Sequence, residues 1–310
     1  MTSDSRVVII GEDVGLRGGV FLATQGLLEK FGEERVIDTP LAEASIAGIA
    51  VGLAFKGLRP IAEIQFADFW WFAANQIIGE ASRVFYGTNG NLRVPMVVRA
   101  PYGGGVRGGM FHSQNIESYL YNTPGLKVIA PTTPYDVKGL LKSAIRDDNP
   151  VIFLEHKKSY RTIKGEVPEH EYVIPIGKAD IKHHGNDISL FTYGFVLHYS
   201  LAAAYQLEKE NISVEVVDLR TLRPLDKSTI LASARKTGKT LIVHEANTTG
   251  GVGAEISAII SEEAFEHLDA PIIRLCGPDI PTMPFAPTLE DAYMLNTEKI
   301  TATLRKLANY

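Results

Sequence analysis

Two side chains stand where acid–base chemistry could be done. Glu43 is the only charged residue between Asp38 and Lys56, in Thr39-Pro40-Leu41-Ala42-Glu43-Ala44-Ser45-Ile46-Ala47-Gly48, a run that stays small and apolar as far as Phe55. Thr39 and Pro40 read as N-cap and first residue of a helix, and the composition is that of a helix buried on every side. A carboxylate entering such a helix needs a partner to offset its desolvation, or is held for proton chemistry. The other reading is a first-turn acid favoured by the helix dipole. Thr39 and Glu43 miss the capping-box spacing by one residue, so a cap does not account for it. Position and composition leave both readings open. His112 is the second candidate. It closes the stretch Tyr102-Gly103-Gly104-Gly105-Val106-Arg107-Gly108-Gly109-Met110-Phe111-His112, with five glycines in residues 103–109, and a helix is expected to follow. An imidazole beside a helix N-terminus is held towards its neutral form, a state suited to proton transfer, although a lone loop histidine is more often structural. None of the seven other histidines forms a spaced metal-ligand pair.

Gln65, at a strand end in Glu63-Ile64-Gln65-Phe66-Ala67-Asp68-Phe69, and Phe69 just beyond it are placed for ligand contact, because open parallel sheets bind ligands beyond the carboxyl ends of their strands. Trp70, Trp71 and Phe72 read as core or interface. Thr249-Gly250-Gly251-Val252-Gly253 fits only part of the dinucleotide fingerprint, since Ser257 follows, and reads as a tight strand-to-helix turn. The glycine loop at 103–109 lacks the Lys-Ser/Thr ending of a P-loop. Ala44, Gly48 and Gly52 make a small-residue stripe that packs either on its own sheet or where two subunits meet.

The elements that must position these groups alternate along the chain. Strands are expected at 6–10, 35–38, 60–65, 95–99, 127–130 and 151–155, with helices at 19–31, 43–55, 69–86 and 135–146. A second series has strands at 188–192, 214–219, 240–244 and 272–276. Its helices are expected at 196–210, 227–235, 253–267 and from about 289. Alternation at this spacing argues for two α/β domains with parallel sheets. The charged, proline- and glycine-containing segment 157–178 reads as a linker. The expected domains are therefore 1–170 and 178–310, consistent with 310 residues as a soft prior for two domains. Hydrophobic content of 45% is that of an ordinary globular protein, and a net charge of −5 gives no support for nucleic-acid or anionic-membrane binding. The single cysteine, Cys276, excludes an internal disulfide and cysteine-rich metal sites. No run approaches a membrane span, and the opening six residues lack the regions of a signal or transit peptide, so a cytoplasmic protein is expected.

Several motifs together carry a family resemblance. Gly11-Glu12-Asp13-Val14, Thr39-Pro40-Leu41-Ala42-Glu43, Ala62-Glu63-Ile64-Gln65-Phe66-Ala67-Asp68-Phe69, His112-Ser113-Gln114, Ser143-Ala144-Ile145-Arg146-Asp147-Asp148-Asn149-Pro150 and Val217-Asp218-Leu219-Arg220-Thr221 occur in one order across nearly the whole chain. In them the chain closely resembles the β subunits of the thiamine-diphosphate-dependent first component of 2-oxoacid dehydrogenases. The resemblance implies a pyrimidine-binding domain of transketolase type followed by a transketolase C-terminal-like domain. It implies an α₂β₂ heterotetramer, with thiamine diphosphate shared between subunits and magnesium held by the α subunit. This chain contains no Gly-Asp-Gly, which agrees with the β role. By the same resemblance, Glu43 matches the carboxylate that bonds N1′ of the aminopyrimidine and favours the imino form that deprotonates the thiazolium. Phe69 matches the aromatic that stacks on that ring, and Gln65 a pocket neighbour. His112 matches a histidine near the reacting carbons, and Glu12 a carboxylate of an acidic passage between active sites. Met96, Val97, Ala144, Ile145, Asp147 and Asn149 match a loop pair that holds a structural potassium ion, mainly through carbonyls.

The implied reaction is oxidative decarboxylation of a 2-oxoacid with reductive acylation of a lipoyl group on an acyltransferase core. The motif at 62–69 leans towards branched-chain 2-oxoacids, with pyruvate close behind. A split transketolase-like protein and a non-catalytic paralogue binding an α-like partner are the alternatives. The first should carry extra basic residues at the pocket entrance. The second is opposed by Glu43 and His112 occurring together. Members of the family usually have a helix of some twenty residues before the strand at Arg6, which this sequence lacks, and Phe69 stands where branched-chain members often have tyrosine.

Overall fold

A computed structural model describes residues 1–310. Two compact units emerge. The first comprises Met1–Tyr102, Tyr119–Ile129 and Thr133–Ile176; the second comprises Gly103–Ser118, Ala130–Thr132 and Gly177–Tyr310. The division is thus not a single cut in the chain, since the glycine-rich segment carrying His112 clusters with the second unit.

In the first unit the strands are β1 (Val7–Gly11), β2 (Val36–Asp38), β3 (Arg59–Glu63), β4 (Val97–Tyr102), β5 (Lys127–Ile129) and β6 (Val151–His156). They lie in the order β5-β6-β4-β3-β1-β2, all parallel. The apolar runs of β1, β4 and β6 are buried along their whole length, as strands covered on both faces must be. Val7, Ile9, Val36, Ile61, Val97, Leu140 and Phe153 form one continuous core. The helices are α1 (Leu27–Phe31), α2 (Glu43–Phe55), α3 (Trp70–Ala74), α4 (Ser82–Gly87), α5 (Glu117–Tyr121), α6 (Pro134–Arg146) and α7 (Ser159–Thr162), with a π-helical stretch, Asn75–Ala81, between α3 and α4. The boundary between the units runs through α5.

Three local expectations are corrected. The helix expected over 19–31 is only α1. Before it, residues with positive φ at Gly18, Gly19, Leu22 and Gly26 break helical geometry. Helix α2 starts at Glu43 with Ala42 as N-cap and no side-chain cap, because Thr39 is still tied to β1 through its N–H on the Gly11 carbonyl (3.0 Å). Nor is α2 buried all round. Glu43, Ile46, Ala47, Ala50, Val51 and Ala54 face inwards, while Ala44, Ser45 and Gly52 are exposed and Ile49 and Phe55 are each 48% exposed.

The second unit contains β7 (Asp180–His183), β8 (Ile188–Thr192), β9 (Val214–Asp218), β10 (Thr221–Arg223), β11 (Thr240–Asn247) and β12 (Ile273–Gly277). Its sheet order is β12-β11-β8-β9-β7. Here the expectation of a wholly parallel sheet fails at one edge, where β7 pairs antiparallel with β9. That strand is short, charged and only half-buried, the design of a protected edge, and such a pattern does not announce itself as a strand. Around the sheet lie α8 (Val196–Glu208), α9 (Lys227–Thr237), α10 (Val252–Glu263), α11 (Pro287–Tyr293) and α12 (Thr297–Ala308). The single C-terminal helix expected from about Leu289 is two, because Asn296 caps a new start by accepting from the Lys299 N–H (2.9 Å). No helix is long and apolar enough to cross a membrane.

The glycine turn at 250–253 also finds its physical reason. A Cβ at Gly251 or Gly253 would lie 2.6 or 2.8 Å from the buried His244 ring. The Gly253 N–H donates to His244 Nε2 (3.2 Å), which makes Nε2 the acceptor and leaves Nδ1 to donate to the Ala246 carbonyl (3.1 Å). Burial pushes the His244 pKa down to about 4, in keeping with that neutral tautomer. These glycines serve close packing.

Candidate active site

At the carboxyl edge of the first unit's sheet, register brings the ends of β1, β2 and β3 side by side, with Gly11 opposite both Asp38 and Glu63. Glu12 follows β1, Glu43 opens the helix after β2, and Gln65 lies two residues beyond the end of β3. The edge is thus a convergence of three strand-to-loop exits, where ligands of open parallel sheets bind. Asp38 fixes the loop after β1 by accepting from the N–H groups of Gly15 (2.6 Å) and Leu16 (3.0 Å). Gln65 reaches the same loop, its Nε2 lying 3.4 Å from the Glu12 carbonyl and 3.4 Å from Asp13 Oδ2.

Glu43 is buried, and no hydrogen bond or ion pair within the chain meets its carboxylate. Glu12 is also buried. Burial, reinforced by the nearby negative charges of Glu43 and Asp13, raises its carboxyl pKa. Two buried acids that repel one another without a compensating cation are an expensive arrangement. They are what an acid–base or cationic-ligand site would keep.

Phe69 belongs to an aromatic series on the same side of the unit. Its ring meets Phe66 edge-on (6.0 Å), Phe66 meets Phe21 edge-on (5.7 Å), and Phe21 stacks on Tyr160 (4.9 Å). The series ends on an ion cluster that sequence reading missed. Arg99 on β4 donates to Glu63 on β3 (Nη1, 2.6 Å) and doubly to Glu155 on β6 (Nε, 2.7 Å; Nη2, 2.6 Å), and the Tyr160 hydroxyl also donates to Glu155. All three charged groups are buried. The signal was available: Glu63, Arg99 and Glu155 are charged residues in three neighbouring strands, with Glu63 and Arg99 in register and Glu155 two residues further along its strand.

His112 is carried by the second unit. The expected helix directly after it is absent: His112 ends the short 3₁₀ turn Gly109–Phe111, and α5 begins only at Glu117. The helix end expected beside its imidazole is therefore not there. What holds its loop is a pair of buried glutamates. Glu245 Oε1 accepts from the Gly104 N–H (2.6 Å) and Asn115 Nδ2 (3.2 Å). Glu290 Oε1 accepts from the N–H groups of Gly105 (2.8 Å) and Arg107 (3.2 Å), and its Oε2 pairs with Arg107 Nη1 (2.8 Å). A Cβ at Gly104 would lie 2.4 Å from the Met283 methyl, so a larger residue there would have to displace that flexible side chain.

Glu117, beneath this loop, is fully buried. One oxygen accepts from the Tyr193 hydroxyl (2.8 Å) and the other has no partner. Burial, with a smaller push from the Glu245 carboxylate, drives its pKa up from 4.5 to about 7. The folded chain therefore binds more protons here than the unfolded chain between those values, so stability is highest below the lower one and falls as pH rises towards the upper. Glu117→Gln keeps an acceptor for Tyr193 and removes the titration. Its Tm should fall less steeply than that of the wild type between about pH 5 and 7; equal slopes would show that Glu117 is not the titrating group.

Of the residues matched to a potassium site, Met96 precedes β4 and Val97 opens it, Ala144 and Ile145 end α6, and Asp147 and Asn149 form the turn into β6. The carbonyls of Met96, Ala144, Ile145 and Asp147 each accept a hydrogen bond within the chain, and no group of three or more His, Cys, Asp or Glu side chains is arranged to hold a metal ion.

Comparison with known proteins defines the class. Residues 1–162 match the family model of the transketolase pyrimidine binding domain, and residues 177–300 that of the transketolase C-terminal domain. A solved structure described as a split gene transketolase, inactive beta4 tetramer, superposes with a TM-score of 0.80 over 99% of this chain and 93% of that one; at 23% identity it speaks for the fold. Among curated proteins, the 2-oxoisovalerate dehydrogenase subunit beta of Bacillus subtilis is 58% identical over 310 residues, all of this chain and 95% of that protein. The pyruvate dehydrogenase E1 component subunit beta of the same organism is 47% identical over the same coverage. The chain belongs to the β-subunit family of the 2-oxoacid dehydrogenases, built on the two transketolase domains.

Proposed function

We propose that the chain is the pyrimidine-side subunit of a thiamine-diphosphate-dependent 2-oxoacid dehydrogenase, acting on a branched-chain 2-oxoacid together with an α subunit in an α₂β₂ assembly. The observation that carries this reading is the Glu43 carboxylate, buried without a partner at the carboxyl edge of the sheet. Such a group fits the aminopyrimidine, whose ring nitrogen can share a proton with it in a charge-assisted hydrogen bond. When bound, thiamine diphosphate supplies the carbon that adds to the 2-oxo group and accepts the electrons left by carbon dioxide. Glu43 would hold the proton at the pyrimidine nitrogen, Phe69 would offer its ring face, and Gln65 would line the pocket. Glu12, a carboxyl with a raised pKa beside Glu43, would take up or release protons at the same edge. His112 would move a proton near the reacting carbons or the lipoyl sulfur. Magnesium and the diphosphate would be held by the α subunit.

The two-subunit reading is supported by the outward face of α2. Nothing in the chain lies within 4 Å of where a Gly52 Cβ would be, so its own packing gives no reason for glycine there, and Ile49 and Phe55 stand in solvent beside it. The lean to a branched-chain substrate over pyruvate rests on the higher identity to the 2-oxoisovalerate enzyme's subunit. The chain purified alone should not turn over either acid with thiamine diphosphate and magnesium. Purified with its α subunit, it should use 2-oxoisovalerate with a higher kcat/KM than pyruvate in an artificial-acceptor assay. Turnover by the chain alone would reject the two-subunit reading, and a preference for pyruvate would reassign the substrate.

A further inference from the structure

The turn after α6 is half of the loop pair that the family resemblance gives to a structural potassium ion, and its residues do not fit a free cation. Arg59, the first residue of β3, sends its guanidinium into that turn. Its Nη1 donates to the carbonyls of both Ile145 and Asp147, at 2.9 Å each, and its Nη2 pairs with Asp148 Oδ1 at 2.8 Å. Ile145 lies in the last turn of α6, where carbonyls are left without helical partners and a positive charge is favoured. Two more of the carbonyls named for the ion have donors: Ala144 accepts from the Asp147 N–H (3.2 Å) and Met96 from the Val151 N–H (3.0 Å). The Asn149 N–H is turned to Asp147 Oδ1 (2.9 Å). Charge decides the matter. Lys127 pairs with Asp147 and Arg93 with Asp148, so the two carboxylates face three fixed cations, and a further ion would be repelled.

We propose that Arg59 is the resident cation of this turn, its guanidinium standing in place of a bound potassium ion and making the chain's stability independent of that ion. A planar fork suits this role, since one nitrogen bridges two carbonyls while the other takes the carboxylate, a geometry that a lysine ammonium cannot reproduce. The guanidinium ties the end of α6 to the head of β3, the strand that leads to Gln65 and Phe69. Its hydrogen bond is also the largest cause of the lowered pKa of Asp148. The inference stands apart from the reaction, because it concerns folding of the first unit and is read without substrate.

Thermal unfolding of the full chain in potassium chloride and in choline chloride at equal ionic strength tests it. The wild type should melt at the same temperature in both salts. Arg59→Ala should melt about 2–3 °C lower than the wild type in choline chloride, and should recover part of that loss in potassium chloride as the freed carbonyls meet the ion. Arg59→Lys, which keeps a cation, should lose less and stay indifferent to potassium. A wild-type Tm raised by potassium over choline overturns the proposal, and that measurement stands even if Arg59→Ala does not fold. So does an Arg59→Ala variant as stable as the wild type, or equally destabilised in both salts.

Discussion

Glu43→Gln is expected to leave the chain folded with an unchanged or slightly higher Tm while turnover of the assembled enzyme falls by about 10²–10⁴, the usual size for a positioned acid–base group. Glutamine fills nearly the same volume but carries no charge and cannot favour a protonated pyrimidine nitrogen. The stability half of the prediction follows from the surroundings. At the first position of α2 the carboxylate gains about 0.3–1 kcal/mol from the helix dipole. It is nevertheless buried without a donor and close enough to Glu12 to raise that group's pKa, so its removal relieves desolvation and repulsion together. A residue kept only for the dipole would show the opposite pattern, with lost stability and normal turnover. Circular dichroism with decarboxylation kinetics separates the two, and near-normal decarboxylation would remove Glu43 from the mechanism.

Arg99→Met should be the most damaging stability change in the first unit, costing about 3–5 kcal/mol, as expected when one partner of a buried ion cluster is deleted. The methionine fits the space, but Glu63 and Glu155 then remain buried, with the Tyr160 hydroxyl still donating to Glu155 alone. Burial already raises the pKa of Glu63, with Arg99 acting to lower it. Without Arg99, one carboxyl must take up a proton on folding. Its folded pKa then lies further above the unfolded value, so the deficit is full near neutral pH and shrinks as pH falls towards the unfolded carboxylate pKa. Urea unfolding of wild type and variant at pH 7 and at about pH 5 reads this directly. A gap that does not narrow on acidification would mean that the loss is one of packing.

The alternation of strands and helices was legible because each strand of a covered parallel sheet reads as a short apolar run. Val7–Ile10 and Val151–Leu154 leave little else to choose. Glu43 was legible for the same reason in reverse, as a lone charge in an apolar helix. What stayed hidden depended on partners distant in sequence. Arg59 looks like an ordinary basic residue before a strand, and its role appears only when residues 145–148 are folded against it. Glu245 and Glu290 read as a strand acid and a helix acid until the loop N–H groups of Gly104 and Gly105 are seen on their oxygens. The mistaken start of α2 has a similar cause. Thr-Pro is a sound local helix start, but the Thr39 N–H was already committed to β1.

The anchoring of the glycine-rich loop bears on how the protein is made. Gly105 and the Glu290 carboxylate that receives its N–H are 185 residues apart in the chain. At a bacterial or eukaryotic elongation rate of about 5–20 residues per second, the loop leaves the ribosome some 10–40 s before its acceptor has been translated. For that interval the first unit can close around its own sheet, because residues 1–102, 119–129 and 133–176 have all emerged early. The His112 segment must wait, excluded from the unit that surrounds it in sequence. Glycine suits a segment with that itinerary, since it brings little side-chain surface to misplace. The first unit can thus be complete well before the second, and the last quarter of translation supplies Glu245 and Glu290, the acceptors that fix the histidine's loop.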